Sequence, residues 1–225
     1  MRTKLMLWGT AAALAFGSTA AMASVVVVKS LGPSSKAYPP GKTLADSAKL
    51  SLKGGDVVTL LGPGSAKTLR GPGNFDAKQV AMASGSARRG RFGALRASEV
   101  AKNPSIWDID VSQNGKVCVS SNSKLQVWRP TSESAVTVQI RKPDGKVEPL
   151  TWASGSAITE WPTGLAIKSG AKYEVSWPGS GDKSQLEFIA VDAPADLMGT
   201  AQVLIANGCN NQLDLLVASA GKNAK

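Results

Sequence analysis

The residue types that most often carry catalysis are scarce in this chain. Its 225 residues include two cysteines and no histidine. Without imidazole, serine–histidine–aspartate and cysteine–histidine catalysis are excluded, as are metal sites built on histidine ligands. The usual general base for neutral pH is missing as well. The composition therefore predicts a protein that is not an enzyme, with no cofactor and no metal site.

Two other patterns have the spacing of known motifs but lack the rest of them. Ser-x-x-Lys, a pair used in acyl transfer, occurs at Ser121/Lys124, Ser180/Lys183 and Ser219/Lys222 without the companion motifs of penicillin-binding enzymes. Gly41-Lys42-Thr43 ends like a phosphate-binding loop. However, Lys36 stands where the first glycine belongs, and Pro39 and Pro40 lack the N–H groups that would hold a phosphate. We therefore expect no nucleotide.

Asp108 and Asp110 are spaced to act as an acid–base pair of the glycosidase kind. They alternate with Trp107, Ile109 and Val111, which form one apolar face of a predicted strand. This alternation places both carboxylates on the solvent face. We expect them to be solvated and not catalytic.

The tryptophans allow two interpretations. Trp107 and Trp177 are in phase with aliphatic residues, which predicts core positions. Trp128 is out of phase with its neighbours, and Trp161 lies at a strand end. These two, with Trp152, belong either to the core or to an exposed aromatic platform that binds a glycan or a partner protein.

Basic residues give the chain a formal net charge of +10. Its densest local charge is the cluster Arg88, Arg89, Arg91 and Arg96. Such a cluster is either a solvated loop or a contact for anionic lipid or an acidic partner. Most lysines are spread along the chain, and an exported protein seldom meets nucleic acid, so we expect no nucleic-acid binding.

The first residues have the pattern of a secretory signal peptide. Arg2 and Lys4 precede the apolar run 5–16, and Ala21-Met22-Ala23 is a small-x-small cleavage site. We expect cleavage after Ala23 and a periplasmic or secreted protein; the alternative is an uncleaved anchor. In an oxidising compartment an isolated cysteine pair predicts a Cys118–Cys209 disulfide, with two buried thiols as the alternative.

Short β-branched or alternating segments separated by Gly, Pro, Asn and Asp turns predict a mainly β protein. Asp192-Ala193-Pro194 is a helix start, and apolar residues at helical spacing follow it. The predicted order is a small β domain (24–75), a basic and partly helical connector (76–104), an antiparallel immunoglobulin-like sandwich (105–192) and a helical tail (193–225).

Residues 41–73 resemble the periplasmic sensor module of FecR-type proteins. The shared pattern is Gly41 and Leu44, an alternating strand, Gly55-Asp56 opening another strand, and a hairpin through Leu61 and Leu69. FecR proteins signal through a transmembrane helix and a cytoplasmic tail, and we expect neither in this chain. As a whole, the chain resembles an uncharacterised exported family of proteobacteria. The resemblance implies a sensing module of the envelope without catalysis.

The function predicted from the sequence is therefore that of a non-catalytic interaction or sensor-accessory protein, whose partner is a protein of the cell envelope. The alternative is a glycan- or cell-wall-binding protein that uses exposed tryptophans. An enzyme with an unrecognised serine–lysine or carboxylate site is the least favoured hypothesis.

Overall fold

The computed structural model describes residues 24–81, 103–120 and 124–220. These residues form two β units with a pair of helices packed between them. The predicted signal peptide and the cluster Arg88, Arg89, Arg91 and Arg96 lie outside the described residues. The prediction of a mainly β protein with C-terminal helices is confirmed.

The N-terminal unit consists of two small antiparallel sheets on one core. Its strands are β1 (Ser24–Leu31), β2 (Thr43–Ala45), β3 (Lys49–Leu52), β4 (Val57–Leu61), β5 (Ala66–Arg70) and β6 (Gly73–Asp76), followed by the short helix α1 (Lys78–Ala81). Four strands pair in the order β2-β1-β4-β5, and β3 pairs with β6. The core extends to Ala77 and Val80, so the unit continues past residue 75, where the sequence predicted a connector.

Strand β1 is buried on both faces. Val25 and Val27 point into the core of the N-terminal unit, whereas Val26 and Val28 pack against the C-terminal helices. This explains why the segment is a continuous run of valines rather than an alternation, since a strand covered on both sides needs apolar residues at every position.

The second unit is a sandwich of a five-stranded and a three-stranded sheet. Its strands are β7 (Ile109–Asp110), β8 (Gly115–Ser120), β9 (Gln126–Trp128), β10 (Val136–Arg141), β11 (Val147–Trp152), β12 (Ile158–Glu160), β13 (Lys172–Ser176) and β14 (Lys183–Val191). The sheet orders are β11-β10-β13-β14-β8 and β12-β9-β7, and both sheets contribute to one core. Two pairs, β14 with β8 and β7 with β9, are parallel, so the prediction of a purely antiparallel sandwich is wrong at these pairs.

The C-terminal helices form the layer that joins the two units. Helix α2 (Leu197–Asn207) begins after its N-cap Asp196, whose carboxylate accepts a hydrogen bond from the Gly199 N–H. It ends at Gly208, which has a positive φ of 71° that an L side chain would disfavour. Helix α3 (Asn210–Ala220) follows directly. The helices pack on β1 and on β8, so they are an interdomain core rather than an appendage of the sandwich.

The predicted disulfide is present. Cys118 of β8 and Cys209, just before α3, are bonded, with a Cα–Cα distance of 5.9 Å. The bond closes a loop of 91 residues, for which chain-entropy arguments give a stabilisation of about 4 kcal/mol. No helix in the described ranges is long and apolar enough to span a bilayer.

Candidate functional site

The serine–lysine pairs gain no support from their surroundings where the structure describes them. Ser180 and Lys183 are both exposed, and the Lys183 ammonium lies 3.1 Å from the Glu174 carboxylate. The Ser219 hydroxyl donates a hydrogen bond to the Leu216 carbonyl. Ser121 and Lys222 lie outside the described residues.

The exposed aromatic platform is not present. Trp128, Trp152 and Trp161 are all buried, with Trp152 fully enclosed in the sandwich core. The indole N–H of Trp152 donates a hydrogen bond to the Val127 carbonyl, and that of Trp161 donates to the Leu165 carbonyl. The core interpretation of these three residues is therefore right, and the platform interpretation is wrong.

The other two predicted core tryptophans are only partly buried. Trp177 stacks on Trp152, with ring centroids 6.1 Å apart. Trp107 packs against the helical layer instead of the sandwich core, because strand β7 starts only at Ile109. The predicted alternation over 107–111 therefore does not extend to its first residue.

Arg129 is a buried guanidinium that no pattern in the sequence indicates. It is 2% exposed, and its Nε and Nη2 atoms donate hydrogen bonds to the carbonyls of Ser134, Ala153 and Ser156. Burial lowers the pKa of Arg129 from its ordinary value. Because its acceptors are backbone carbonyls of two loops, Arg129 holds those loops together and has a structural role.

Asp56, part of the pattern shared with FecR-type proteins, also has a structural role. Its buried carboxylate accepts hydrogen bonds from the backbone N–H groups of Ser34 and Lys53. Burial alone would raise the pKa of Asp56, but the hydrogen bonds from Ser34 and Lys53 lower it overall. The Gly55-Asp56 pattern therefore fixes the loop before β4 and gives no indication of a ligand.

A cleft with a volume of about 460 Å³ lies between the sandwich and helix α3. Strands β7, β8 and β9 form one wall, and Trp128 and Val117 contribute apolar surface there. On the helix, the lining residues recur at helical spacing, which puts them on one face: Asn211, Asp214, Leu215 and Ala218.

Asp108 and Asp110 both line this cleft, and the prediction that they lie on a solvated strand face is wrong for Asp108, whereas Asp110 is partly exposed. Asp108 is only 7% exposed. The reason is helix α3, which covers this edge of the sandwich and which the sequence of strand β7 cannot reveal. With Asp214 on the helix, the cleft has three carboxylates and one ammonium, Lys116, which lies 4.0 Å from Glu187.

The two strand carboxylates differ in their hydrogen bonds. Desolvation raises the pKa of Asp110, although its carboxylate accepts hydrogen bonds from the Ser112 N–H and hydroxyl that act in the opposite direction. Desolvation alone raises the pKa of Asp108. Among the residues that the structure describes, none donates a hydrogen bond to the Asp108 carboxylate, which is therefore open to a ligand in the cleft.

Gln212 holds the helical wall in place. Its Oε1 atom accepts from the Cys118 N–H at 2.7 Å, and its Nε2 atom donates to the carbonyls of Cys118 at 2.8 Å and Ile106 at 2.7 Å. The side-chain amide thus pairs with the edge of β8 as a neighbouring strand would. The Cys118–Cys209 bond fixes the same point covalently, so the cleft has a rigid boundary.

The cleft is acidic, but its carboxylates are not arranged for a metal ion. In residues 24–81, 103–120 and 124–220 no group of three or more His, Cys, Asp or Glu side chains is placed to hold one. The chemistry available is hydrogen-bond acceptance by carboxylates beside a small apolar surface. In comparisons with protein-family models, with curated proteins and with solved structures, no match to the chain was found.

Proposed function

We propose that this chain is a non-catalytic interaction protein of the cell envelope, periplasmic or secreted, which binds a basic side chain of a partner protein in the cleft. The sensor-accessory role suggested by the FecR-like pattern is consistent with such binding. The observation that carries the proposal is Asp108, a residue only 7% exposed, which lines the cleft and whose carboxylate accepts no hydrogen bond from the described residues.

A carboxylate that has lost part of its hydration costs free energy unless a donor or an opposite charge replaces the lost water. A lysine ammonium or an arginine guanidinium entering the cleft would supply both the donor and the opposite charge. Asp110 and Asp214 add to the negative potential of the site. The ligand that best complements this cleft is therefore a cation, although the chain as a whole is basic.

The alternative of glycan binding through tryptophan has lost its main support. Of the three candidates, only Trp128 lines the cleft, and it is 4% exposed. A sugar ring needs an open indole face to stack on. Acid–base catalysis by Asp108 and Asp110 is also disfavoured, since such a pair needs pKa values pushed apart, whereas desolvation raises both.

Site-specific photo-crosslinking in intact cells tests the proposal. A photoreactive amino acid replaces Ala218, which is exposed on α3 and lines the cleft. The control position is Val147 on β11, four strands away from β8 in the same sheet and therefore roughly 19 Å distant. We expect a discrete crosslinked protein from position 218 and none from position 147.

Charge variants then test the chemistry of recognition. Asp108→Asn removes the buried charge with little change of shape, and Asp214→Lys reverses an exposed charge at the rim. Both variants should reduce the amount of crosslinked product at least tenfold, because the loss of one charged hydrogen bond weakens binding by roughly that factor. Glu148→Lys, on β11, is the matched control and should leave the product unchanged. Equal crosslinking from 147 and 218, or indifference to both cleft variants, would refute the proposal.

A further inference from the structure

The two β units carry opposite net charge. Residues 24–81 contain eight Lys or Arg and three Asp or Glu, a net charge of +5. Residues 103–220 contain nine Lys or Arg and twelve Asp or Glu, a net charge of −3. The basic character of the described chain therefore belongs to the small N-terminal unit, while the sandwich with its acidic cleft is negative.

The cations of the N-terminal unit are exposed, and none of them takes part in the ion pairs among the described residues. All eight are exposed: Lys29, Lys36, Lys42, Lys49, Lys53, Lys67, Arg70 and Lys78. Asp56 is buried and holds backbone N–H groups. Throughout the part of the chain that the structure describes, the five ion pairs all lie in the sandwich unit. Positive charge is thus in excess at the surface of the small unit.

One face of the four-stranded sheet combines this charge with exposed apolar surface. The helices cover the rows at Val26 and Leu61 but do not cover the far end of the sheet. There, Leu31, Val57 and Arg70 lie opposite one another on β1, β4 and β5, and Lys29 precedes Leu31 by two residues on the same face. Leu31 is 54% exposed, more than any other large hydrophobic residue described. We name Lys29, Leu31, Val57 and Arg70 the sheet-end patch.

We infer that the N-terminal unit binds the surface of an anionic lipid bilayer through the sheet-end patch, with the other cations of the unit adding long-range attraction. The patch is a strand surface on which an exposed leucine lies beside two cations, and the remaining lysines of the unit are exposed as well. A planar anionic surface satisfies this arrangement better than a folded acidic partner, which would need matching carboxylates at fixed positions. Exposed aliphatic groups beside cations are typical of peripheral membrane contacts.

Binding to vesicles measures this directly. The purified protein is sedimented with vesicles of 30% phosphatidylglycerol and 70% phosphatidylcholine, and with vesicles of phosphatidylcholine alone. We expect binding to the anionic vesicles only, weakening steeply between 50 and 300 mM salt because screening shortens the range of the attraction. The patch variant Lys29→Gln/Leu31→Ser/Arg70→Gln should bind roughly thirtyfold more weakly, about fivefold for each cation lost at the surface.

The matched control makes the same chemical changes on the sandwich. Lys146→Gln/Val147→Ser/Lys168→Gln removes two cations and one exposed aliphatic residue, and should change binding less than threefold. If the triple patch variant does not fold, Lys29→Gln/Arg70→Gln replaces it. Equal losses in the patch and control variants would overturn the inference. So would binding to a soluble anionic polysaccharide without binding to the vesicles. The outcome is independent of the cleft, because no cleft residue is changed.

Discussion

The Gln212 amide offers the sharpest test of how the helical layer is fixed to the sandwich. Gln212→Leu keeps the side chain buried and similar in size but removes one acceptor and one donor group. Three backbone partners lose their hydrogen bonds: the N–H and carbonyl of Cys118 and the carbonyl of Ile106, at 2.7–2.8 Å. Each buried group left unpaired costs about 1–3 kcal/mol. The leucine returns about 1–2 kcal/mol through apolar burial.

Taking about 2 kcal/mol for each of the three unpaired groups, the expected net loss for Gln212→Leu is about 4–5 kcal/mol in the free energy of unfolding. Urea titration followed by tryptophan fluorescence, with the disulfide intact, measures it. Gln202→Leu on α2 is the control, because that side chain is exposed and makes one hydrogen bond, to the Thr43 hydroxyl. It should stay within about 0.5 kcal/mol of the unmodified protein.

A second variant tests the direction of the hydrogen bonds. Gln212→Glu retains the acceptor for the Cys118 N–H but turns a carboxylate oxygen toward two carbonyl oxygens. Burial and this repulsion raise the folded-state pKa of the introduced carboxyl above its unfolded value. Stability is then lost as the pH rises through that folded pKa, so the defect should be larger at pH 7 than at pH 4. A Gln212→Leu loss below about 0.5 kcal/mol, or a Gln212→Glu defect that grows on acidification, would refute this account of the wall.

Three other substitutions have outcomes set by single features. Asp108→Asn should raise the free energy of unfolding at neutral pH by about 1 kcal/mol, because it removes a desolvated charge. Since the pKa of Asp108 is raised in the folded protein, this gain should disappear as the pH falls below that pKa and the carboxylate becomes protonated. Thermal unfolding between pH 3 and 8 measures the difference. Arg129→Lys should cost about 2–4 kcal/mol by urea titration, since an ammonium cannot serve all three carbonyls. Gly71→Ala should lower the free energy of unfolding by at least about 2 kcal/mol, because a Cβ would lie 2.0 Å from the Lys53 carbonyl oxygen. Gly64→Ala is the control: a Cβ there meets nothing within 4 Å, so stability should not change.

The local sequence pattern was sufficient to predict the buried positions in strands that have one face toward the core and the other toward solvent. Val138 and Ile140 in β10 and Leu186 and Phe188 in β14 are buried as their alternation predicts. The disulfide followed from the cysteine count and the predicted compartment. These features depend on neighbouring residues or on composition, so no knowledge of the tertiary arrangement was needed.

The candidate site was not predictable in the same way, because its burial comes from remote parts of the chain. The period-2 pattern at Asp108 correctly places the carboxylate on the face opposite Ile109. Whether that face meets water depends on α3, which begins about a hundred residues later. Likewise, Gln212 and Cys118 are 94 residues apart, and neither has a local pattern that indicates a pair. The spacing on α3 was a usable signal: Asn211, Asp214 and Ala218 recur on the face opposite the apolar positions that form the core.

The C-terminal helices decide what the β units can do. Helix α3 packs its apolar face against both units and turns a polar face toward the sandwich edge, so the cleft exists only while that helix is docked. The disulfide and Gln212 both act at Cys118, one covalently and one through hydrogen bonds, and together they fix the wall that carries Asp214. On the proposal that a basic side chain binds in the cleft, its positive charge would offset the desolvation of Asp108, and the same carboxylate would favour a cation over a neutral side chain.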